Sequence, residues 1–493
     1  EEIQAYLGSH IAFYFAWMNF FTQSLVLPAF LGLAMYLHKV YYGFTVENHP
    51  YLPLYALFMV FWAILFVQCW KRKSASWACQ WGTIGEAERD DVRPEFRGEL
   101  RVSPVSGDME RFYPAYKRRL SYLLSGLVTG SFLCVAFLVM ICSLNLQGYI
   151  KDSGQWTEQI FFIPWLSRWS DPGQLFDPEK LTNLIPVVMH VVVIMLLNTA
   201  YQSISRQLTE WENPCTELQF ENSVIIKRFL FESFDCYIAL FYLAFFQFDV
   251  IRLRTELVSL YTTDSLRRVL LETVIPALVA WWNSRGQRQK QALTKKQDTP
   301  QQDGPQSDLD DQFTLPEYEQ FDDFLEMVIE FGYITMFASS FPLASALSLV
   351  CNLIEIKSDT YKIAFVTKRP APLRASSIGV WADIIQAQAY LAVLTNIILF
   401  GFASDQMQAW LPALFAREGS AVAGSGRYVV AICFALEHAV IVLALLMNKM
   451  IPDQPEWVSN ELRRLEFAKD QASRSMRKQQ QQQRGHHGGS TSF

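Results

Sequence analysis

The sequence predicts an all-α, polytopic membrane protein with about ten transmembrane helices. Of its 493 residues, 51% are hydrophobic, and long apolar runs recur along most of the chain at lengths that cross a bilayer as helices. Clusters of Lys and Arg fall between every second pair of runs, which is the pattern of cytoplasmic loops. An even number of spans places both termini on one side of the membrane.

Hydropathy over windows of about 19 residues defines the candidate spans. They are His10–Tyr36, Tyr51–Trp70, Leu120–Leu144, Leu184–Ala200, Ile225–Phe246, Glu256–Trp282, Asp322–Phe341, Leu343–Phe365, Ile378–Phe402 and Tyr428–Met450. We therefore expect one transmembrane domain over residues 1–450, with a cytoplasmic loop at 71–119. A cytoplasmic helix and a low-complexity tail are expected over residues 451–493.

The distribution of basic residues predicts which loops and termini are cytoplasmic. The loop at 71–119 carries eleven Lys and Arg residues, and four further basic clusters fall on the same side. These are Lys227–Arg228, Arg285–Lys296, Lys368–Arg374 and Arg463–Lys478. By the positive-inside rule we expect both termini to be cytoplasmic. We expect the protein to reside in the plasma membrane or the endoplasmic reticulum. The formal charge of −6 averages over two compartments, so it is evidence neither for nor against an anionic partner; no nucleic acid is expected to bind.

The polar stretch at 287–311 has no aromatic residue and is broken by Pro300 and Pro305, so it is typical of a disordered cytoplasmic linker. An EF-hand beginning at Asp308 is excluded because Phe313 takes the position that requires glycine. The chain begins without Met inside a helical pattern. We therefore expect Glu1 to be a cut edge that a cytoplasmic domain precedes.

Cysteine and histidine indicate neither a disulfide framework nor a catalytic centre. Six of the eight cysteines lie in or at the edge of spans. His190 and His438 are isolated within spans, without an HExxH motif or a partnered nucleophile, and no nucleotide-binding loop appears. The sequence therefore predicts a protein that is neither an enzyme nor an ATP-driven flippase.

Five acidic side chains fall inside otherwise apolar stretches. They are Glu272, Asp323, Glu326, Glu355 and Asp359. A carboxylate at the centre of a membrane helix costs about 2.5–3.5 kcal/mol, so five without compensation cost roughly 15 kcal/mol. Positive charge must therefore lie among them.

Helical spacing arranges four of these acids in two pairs. Asp323 and Glu326 are three residues apart, and Glu355 and Asp359 are four apart, so each pair shares one helix face. The short connection SSFPLAS makes the two helices an antiparallel hairpin, in which the pairs meet at a similar depth. Glu272, one turn before a proline, is expected to join them from a third helix.

Carboxylates without histidine or cysteine partners favour Ca²⁺, which accepts six to eight oxygens in flexible geometry. Two Ca²⁺ ions per subunit nearly neutralise five carboxylates, and Glu330 is a candidate additional ligand. Two alternatives remain: the acids pair with Lys or Arg side chains, or they relay protons as in secondary transporters. Arg268 is placed to compensate part of the charge, whereas Lys357 projects away from the eighth-span pair.

The sixth span carries hydroxyl groups along one face. Thr255, Ser259, Thr262 and Thr263 recur there at helical spacing. The fourth and fifth spans also contain polar residues, and three adjacent polar faces favour a hydrophilic furrow that opens to lipid. Together with Arg252, the four hydroxyl residues form the predicted lipid and ion pathway. Hydrogen bonding between helices is the alternative explanation for any one of these residues.

At this point the sequence resembles the anoctamin family of calcium-activated ion channels and phospholipid scramblases, most of all its fungal-type scramblases. The resemblance runs from YFAWMNFFTQSLVLPAFLGL through LTEWENPCTELQFENSVIIKRFLFESFDCYIALFYLAFF to FGYITMFASSFPLASALSLVCNLIEI and MNKMIPDQPEW. Matched motif by motif, the sixth-span glutamate of the family's calcium site falls on Glu272. The seventh-span pair falls on Asp323 and Glu326, and the eighth-span pair on Glu355 and Asp359.

The chain departs from the family pattern at several positions. Arg268 and Cys351 stand where many members carry asparagine, so these two auxiliary ligands are not expected. Asn352, next to Cys351, faces elsewhere on an ideal helix. The sixth span lacks the glycine at which channel members hinge it. Asp453 matches a secondary calcium position of some members.

The resemblance implies a homodimer in which the third to seventh spans of each subunit line a calcium-gated furrow. We expect energy-independent phospholipid scrambling, with non-selective ion conduction through the same furrow. One alternative is a dedicated calcium-activated anion channel, with Arg252, Arg254 and Arg268 supplying positive field. Another is an acidic-site cation or proton transporter, although the inverted repeat that would favour it does not appear.

Overall fold

The computed structural model describes residues 1–44, 49–84, 92–102, 104, 107–150, 161–176, 182, 184–268, 274–275, 278, 315–403, 406–415 and 425–488. These ranges are helical apart from connections, one isolated bridge and an antiparallel hairpin of β1 (Glu99–Val102) with β2 (Met109–Phe112). The hairpin lies in the predicted cytoplasmic loop. The linker at 287–311 and the calcium-site candidate Glu272 lie outside the described ranges.

The helices follow the predicted spans in order. They are α1 (Glu2–Leu7), α2 (Ser9–Ser24), α3 (Val26–Tyr42), α4 (Leu52–Gln80), α5 (Ala115–Leu146), α6 (Pro164–Ser167), α7 (Leu184–Glu212), α8 (Glu217–Phe245), α9 (Val250–Arg268), α10 (Gln320–Met336), α11 (Ala344–Tyr361), α12 (Trp381–Ile398), α13 (Gln406–Trp410), α14 (Gly426–Met450) and α15 (Glu456–Gly488). Two π-helical turns, Lys362–Val366 and Leu399–Ala403, extend α11 and α12.

Six helical stretches of the described chain are long and apolar enough to cross a membrane. They are Ser9–Tyr42, Leu52–Gln80, Ala115–Leu146, Val188–Glu212, Trp381–Phe402 and Gly426–Met450. They correspond to the first four and the last two predicted spans. The other four predicted spans correspond to α8, α9, α10 and α11, which carry the charged and hydroxyl side chains discussed below. The chain is an all-helical, multi-pass membrane protein, as predicted.

The main apolar core surrounds α10, which is buried along almost its whole length. Aromatic rings fill this core: Phe324 of α10 stacks on Trp381 of α12 with centroids 5.2 Å apart. Phe331, about two turns further, packs against Phe21 of α2 at 6.0 Å and Phe66 of α4 at 5.7 Å. These contacts fix the seventh span, and hence the acids that it carries, between the first, second and ninth spans.

The connection between α10 and α11 is attached to the first two spans. Ser345 donates a hydrogen bond to the carbonyl of Pro28 (3.0 Å), and Tyr55 donates one to the carbonyl of Pro342 (3.2 Å). Gly32 permits this approach, because a Cβ there would lie 2.1 Å from the Pro342 oxygen. The connected end of the hairpin is therefore held in place, which sets the distance of the acids from that end along both helices.

A second helical group, α5, α7 and α8, packs beside this core. Tyr201 of α7 stacks on Phe231 of α8 with centroids 4.5 Å apart and shares a 2.8 Å hydrogen bond with Thr129 of α5. Lys227 and Glu212 form a 2.7 Å ion pair between α8 and α7. Helix α9 packs against α8, so the sixth span borders this group.

Gly332 allows the closest approach between α10 and α8. A Cβ at Gly332 would lie 2.1 Å from the Tyr237 hydroxyl, which donates a 2.9 Å hydrogen bond to the carbonyl of Ile329. We expect Gly332→Ala to lower the free energy of unfolding by about 1–3 kcal/mol through overpacking. The melting temperature in detergent, followed by tryptophan fluorescence, measures this effect.

Gly126 of α5 provides the matched control, since nothing lies within 4 Å of a Cβ built there. Gly126→Ala should leave the melting temperature unchanged or raise it, because alanine favours the helix. Equal melting temperatures for the two variants would contradict the packing at Gly332.

Candidate functional site

The acidic pairs of α10 and α11 lie at matched depths. Tyr261 of α9 fixes this register, since its hydroxyl is 3.0 Å from the Ser348 hydroxyl and its ring is 5.6 Å from the ring of Tyr333. Glu326 lies seven residues inward of Tyr333, and Glu355 lies seven residues inward of Ser348. Both acids are therefore roughly 10 Å below the contact with Tyr261.

The same count places the second acid of each pair one layer deeper. Asp323 is ten residues inward of Tyr333, and Asp359 is eleven residues inward of Ser348, which is roughly 15 Å for each. Asp323 and Asp359 are 5% and 0% exposed, and Glu355 is 4% exposed, whereas Glu326 is half-buried. The described part of the predicted site thus consists of two carboxylate layers in the interior of the bundle.

Side-chain donors from three separate segments reach the deeper layer. Tyr318 donates a 2.6 Å hydrogen bond to Asp323 Oδ2, and Tyr14 of α2 donates one to Asp359 Oδ2. Burial raises the pKa of the Tyr318 phenol above its usual value, and the nearby Asp323 and Asp359 carboxylates raise it further. Both aspartates therefore lie close enough to act on one hydroxyl group.

Lys362 supplies positive charge at this layer. Its Nζ lies 2.6 Å from Asp323 Oδ1, at the start of the π-helical turn that follows α11. The sequence analysis proposed Arg268 as the compensating cation, whose side chain is not among those described, and it overlooked Lys362. The available signal was a lysine inside a predicted span, three residues after Asp359. Lys357 is exposed, as its predicted orientation requires.

Asn352 lies on the buried face of α11 that also carries Glu355 and Asp359, so the expectation that it faces elsewhere is wrong. It is 0% exposed, and both polar atoms of its amide have no hydrogen-bond partner in the described part of the chain. Cys351 is half-buried. Cys351 stands where many family members carry asparagine. In this chain the neighbouring Asn352 presents an amide to the interior instead.

These residues fit a hard cation in their chemistry and depth. Carboxylate oxygens, two phenol oxygens and the buried Asn352 amide form an all-oxygen donor set, which suits Ca²⁺. Within the described residues, however, no three His, Cys, Asp or Glu side chains come close enough to hold a metal ion. The third helix of the predicted site would bring Glu272, which lies outside those residues. Asp453 is exposed beyond α14.

Arg228 of α8 forms a separate charge network at the start of α10. Its guanidinium contacts Glu319 at 2.7 Å, Asp322 at 3.0 Å and Glu232 at 3.4 Å. It also stacks on the ring of Phe321 at 3.7 Å. This arginine pairs with Glu319 and Asp322, two acids that precede Asp323, and joins the fifth span to the seventh.

The exposed side of the described part of the sixth span carries four hydroxyl groups together with the apolar Ile251 and Val258, and the opposite side is apolar. Thr255, Ser259, Thr262 and Thr263 are all exposed on one face. Leu253, Leu257 and Tyr261 are at most 3% exposed on the opposite face. A helix that faces lipid ordinarily exposes apolar side chains, whereas this helix exposes hydroxyl groups and buries apolar ones. The structure thus places the four predicted hydroxyl residues together on one surface.

The other charged and polar residues of the fourth to sixth spans have mixed roles. Arg252 forms a 3.1 Å ion pair with Asp249, whose carboxylate also accepts the Arg252 backbone N–H at 2.9 Å. His190 and Asp235 face each other between the fourth and fifth spans at 4.0 Å. Tyr237, by contrast, is a contact between helices, because it bonds Ile329 and accepts from Gln388 at 3.1 Å.

Residues 3–465 match the family model described as "Anoctamin: Calcium-activated chloride channel". The chain belongs to the anoctamin family. Anoctamin-10 of Mus musculus is 31% identical over 95% of this chain. Anoctamin-4 of Mus musculus is 28% identical over 86% of the chain, and anoctamin-7 of Homo sapiens is 24% identical over 96%.

This anoctamin chain spans 66%, 50% and 60% of the lengths of those three relatives, respectively. Members of the family are calcium-activated and include chloride channels and scramblases rather than enzymes. The description of the family names the channel activity, which the sequence analysis placed second. Which transport activity this chain has is therefore a matter for proposal.

We expect Asp323→Ala combined with Glu326→Ala to remove calcium activation while the fold stays assembled, because two of five predicted carboxylates are lost. The calcium-induced rise in melting temperature and calcium-dependent lipid exposure both report on this. Glu319→Ala with Asp322→Ala is the matched control, since it removes two charges that lie on Arg228 instead. Undiminished calcium dependence in the first double variant would refute the site.

Proposed function

We propose that this anoctamin is a calcium-activated phospholipid scramblase that also conducts ions without strong selectivity. The observation that carries the proposal is the exposed hydroxyl face of α9, set against a buried apolar face on the same helix. Headgroups would slide along this face while acyl tails stay in the bilayer. Transport would run down a gradient and need no covalent step.

The hydroxyl groups suit a headgroup path for a definite chemical reason. Thr255 donates its hydrogen to the carbonyl of Ile251 (3.0 Å), and Thr262 donates to that of Val258 (2.7 Å). Their oxygens therefore present acceptor lone pairs to the surface, where water or an ammonium headgroup can donate to them. A headgroup in hydrocarbon loses hydration worth several kcal/mol, and these acceptors with associated water replace part of it.

Five carboxylates would hold calcium, with two ions per subunit: Glu272, Asp323, Glu326, Glu355 and Asp359. Calcium would supply the positive charge that lets these groups approach one another. Glu272 lies eleven residues beyond Tyr261, just as Asp359 lies eleven residues beyond Ser348. If the sixth span continues as a helix, Glu272 reaches the deeper carboxylate layer.

Glu272 would then couple the acidic site to the pathway, because it is the one ligand on the helix that carries the hydroxyl face. Repulsion among the carboxylates would move the inner part of this helix away, and neutralised carboxylates would draw it in. The sixth span is thus proposed as a two-state element that the acidic site biases.

A dedicated calcium-activated anion channel is the second candidate, and the description of the family favours it. An ion-only pore requires the hydroxyl face to be enclosed by protein. Arg252 adds little positive field to such a pore because Asp249 pairs with it. The scramblase proposal also includes a homodimer, which the family resemblance implies, and cytoplasmic termini, which the basic clusters of the loops and tail support.

Replacing Ser259, Thr262 and Thr263 with leucine should slow lipid exposure at saturating Ca²⁺ by roughly tenfold, since acceptors for the headgroup are lost. Fluorescent-lipid exposure in liposomes measures the rate. The matched control exchanges the hydroxyl residues among themselves, as Ser259→Thr, Thr262→Ser and Thr263→Ser. This control should keep the unmutated rate.

Conductance of the same liposomes separates the two candidates. If the leucine variant keeps its lipid flux while ion conductance collapses, the scramblase proposal fails and the channel takes its place. If neither changes, the hydroxyl face is not the pathway.

Calcium should change the distance between the sixth and eighth spans. Spin labels on Thr262→Cys and Leu353→Cys, both at exposed positions, report this distance by pulsed electron resonance. We expect a calcium-dependent shift in the otherwise unmutated protein and a reduced one in Glu272→Gln, which keeps the side-chain shape but loses the charge. An unmoved sixth span would contradict the gating mechanism.

A further inference from the structure

We propose that His38 and His49 form an acid-sensitive clasp between the end of the first span and the start of the second. This histidine clasp opens when either imidazole takes up a proton. By the predicted topology, both residues lie on the side of the membrane opposite to the cytoplasmic loops, so the clasp responds to the pH of the lumen or of the cell exterior. The inference depends on neither the calcium site nor the scramblase proposal, and failure of those proposals would leave it standing.

Two hydrogen bonds define the neutral state of the pair. His38 Nδ1 lies 3.0 Å from His49 Nε2, and the backbone N–H of Tyr51 donates to His49 Nδ1 at 3.2 Å. Because His49 Nδ1 accepts that bond, the ring proton of neutral His49 is on Nε2, from which it is donated to His38 Nδ1. The nitrogen lone pair of each neutral ring is therefore already used.

A further proton breaks one of these two bonds. On His38 Nδ1 it sets two donors face to face between the rings, and on His49 Nδ1 it does the same opposite the Tyr51 N–H. Tyr51 is the residue that precedes α4, so a cationic ring on its N–H also opposes the helix dipole. Either protonation therefore removes a link of the clasp, between the two rings or at the start of α4.

The surroundings of the pair favour its neutral state. His49 is 1% exposed. Burial lowers the pKa of the His49 imidazole below its usual value, and the neighbouring His38 and Lys39 lower it further. Aromatic rings pack around His38 with centroids 4.6–5.7 Å from its own: those of Tyr42, Phe44 and Tyr51. The faces of such rings attract a cation, but a charge on the pair would meet Lys39 and would lose a hydrogen bond.

A small cavity gives protons access to His49. Its volume is about 20 Å³, which is large enough for one water molecule. His49, Lys39 and Arg254 of α9 line it together with residues 341–343 of the connection between α10 and α11, and no carboxylate is among its described lining residues. A proton on the pair would thus join two positive charges. Its effect would also reach the connection that holds the acid-bearing helices.

The same geometry argues against a metal ion between the two rings. A metal needs the lone pairs of His38 Nδ1 and His49 Nε2, which moves the His49 proton to Nδ1 and sets it against the Tyr51 N–H. Among the described residues, no group of three His, Cys, Asp or Glu side chains supplies the further ligands. A proton is therefore the ligand that the pair is arranged to sense.

Thermal unfolding of the full chain in detergent, with calcium chelated, tests the clasp. Because the folded protein keeps the pKa of His49 low, the unfolded chain takes up its proton first as the pH falls below about 6.5, and the melting temperature should fall with it. His38→Asn with His49→Gln replaces the pair by two amides that keep a donor opposite an acceptor but do not titrate. Between about pH 7.5 and about pH 5.5, this variant should lose about 1–3 °C less than the unmutated protein.

His438→Asn is the matched control. His438 is exposed on α14, and its Nδ1 lies 2.9 Å from the carbonyl oxygen of Phe434, so this change removes a histidine that is not part of the pair. The control should keep the full pH dependence of the unmutated protein. His49→Asn, which retains an acceptor for the Tyr51 N–H, serves as a second variant if the double-amide protein does not fold, and it should also weaken the pH dependence.

Amide hydrogen exchange locates the effect in the chain. The Tyr51 N–H is bonded to His49 Nδ1, so at about pH 5.5 it should exchange roughly tenfold faster than at about pH 7.5, after correction for the intrinsic pH dependence of exchange. The start of α14 is the internal reference. There the Tyr428 N–H donates at 2.8 Å to the Ser425 carbonyl, which does not titrate, so its protection should not change.

Three results would overturn the histidine clasp. The first is an equal loss of melting temperature at acidic pH in the unmutated protein and in the double-amide variant. The second is unchanged protection of the Tyr51 N–H at acidic pH. The third is a rise in melting temperature with Zn²⁺ at neutral pH that the double-amide variant lacks, since the two rings would then be metal ligands. A shallower pH dependence in variants of the pair, with faster exchange at the start of α4, is the expected result.

Discussion

Burial of carboxylate charge inside a membrane-embedded bundle is the constraint on which the inner half of this protein depends. Asp323 and Asp359 are almost fully enclosed, and such groups require donors or counter-charges at bonding distance. The donors are Tyr14, Tyr318 and Lys362, which lie far apart in the sequence. Satisfying two aspartates therefore draws the first, seventh and eighth spans to one point.

The helices that carry these acids are held more firmly than α9, which carries the exposed hydroxyl groups. Aromatic packing encloses α10, and hydrogen bonds to the first two spans secure the turn before α11. The described part of α9 packs through one face, and Tyr261 links it to both acidic helices. A firmly packed acidic frame beside a helix that packs through one face would suit the proposed gating of α9 by the acidic site.

Two basic residues near the acids have different electrostatic roles. Arg228 is buried and multiply bonded, so it stabilises the junction between the fifth and seventh spans. Lys362 is partly exposed and pairs with Asp323. Pairing with a basic side chain, one of the alternatives that the sequence left open, is therefore seen at Asp323.

By itself the sequence determined the class of fold, the order of the spans and the helix faces on which the acids and hydroxyl groups lie. These follow from hydropathy and from the 3.6-residue period, which are local properties. Tertiary structure decided which side chains meet. Lys362 and Tyr14 approach the acids across 39 and 345 residues of chain. Such contacts depend on how helices pack, and no local pattern encodes that.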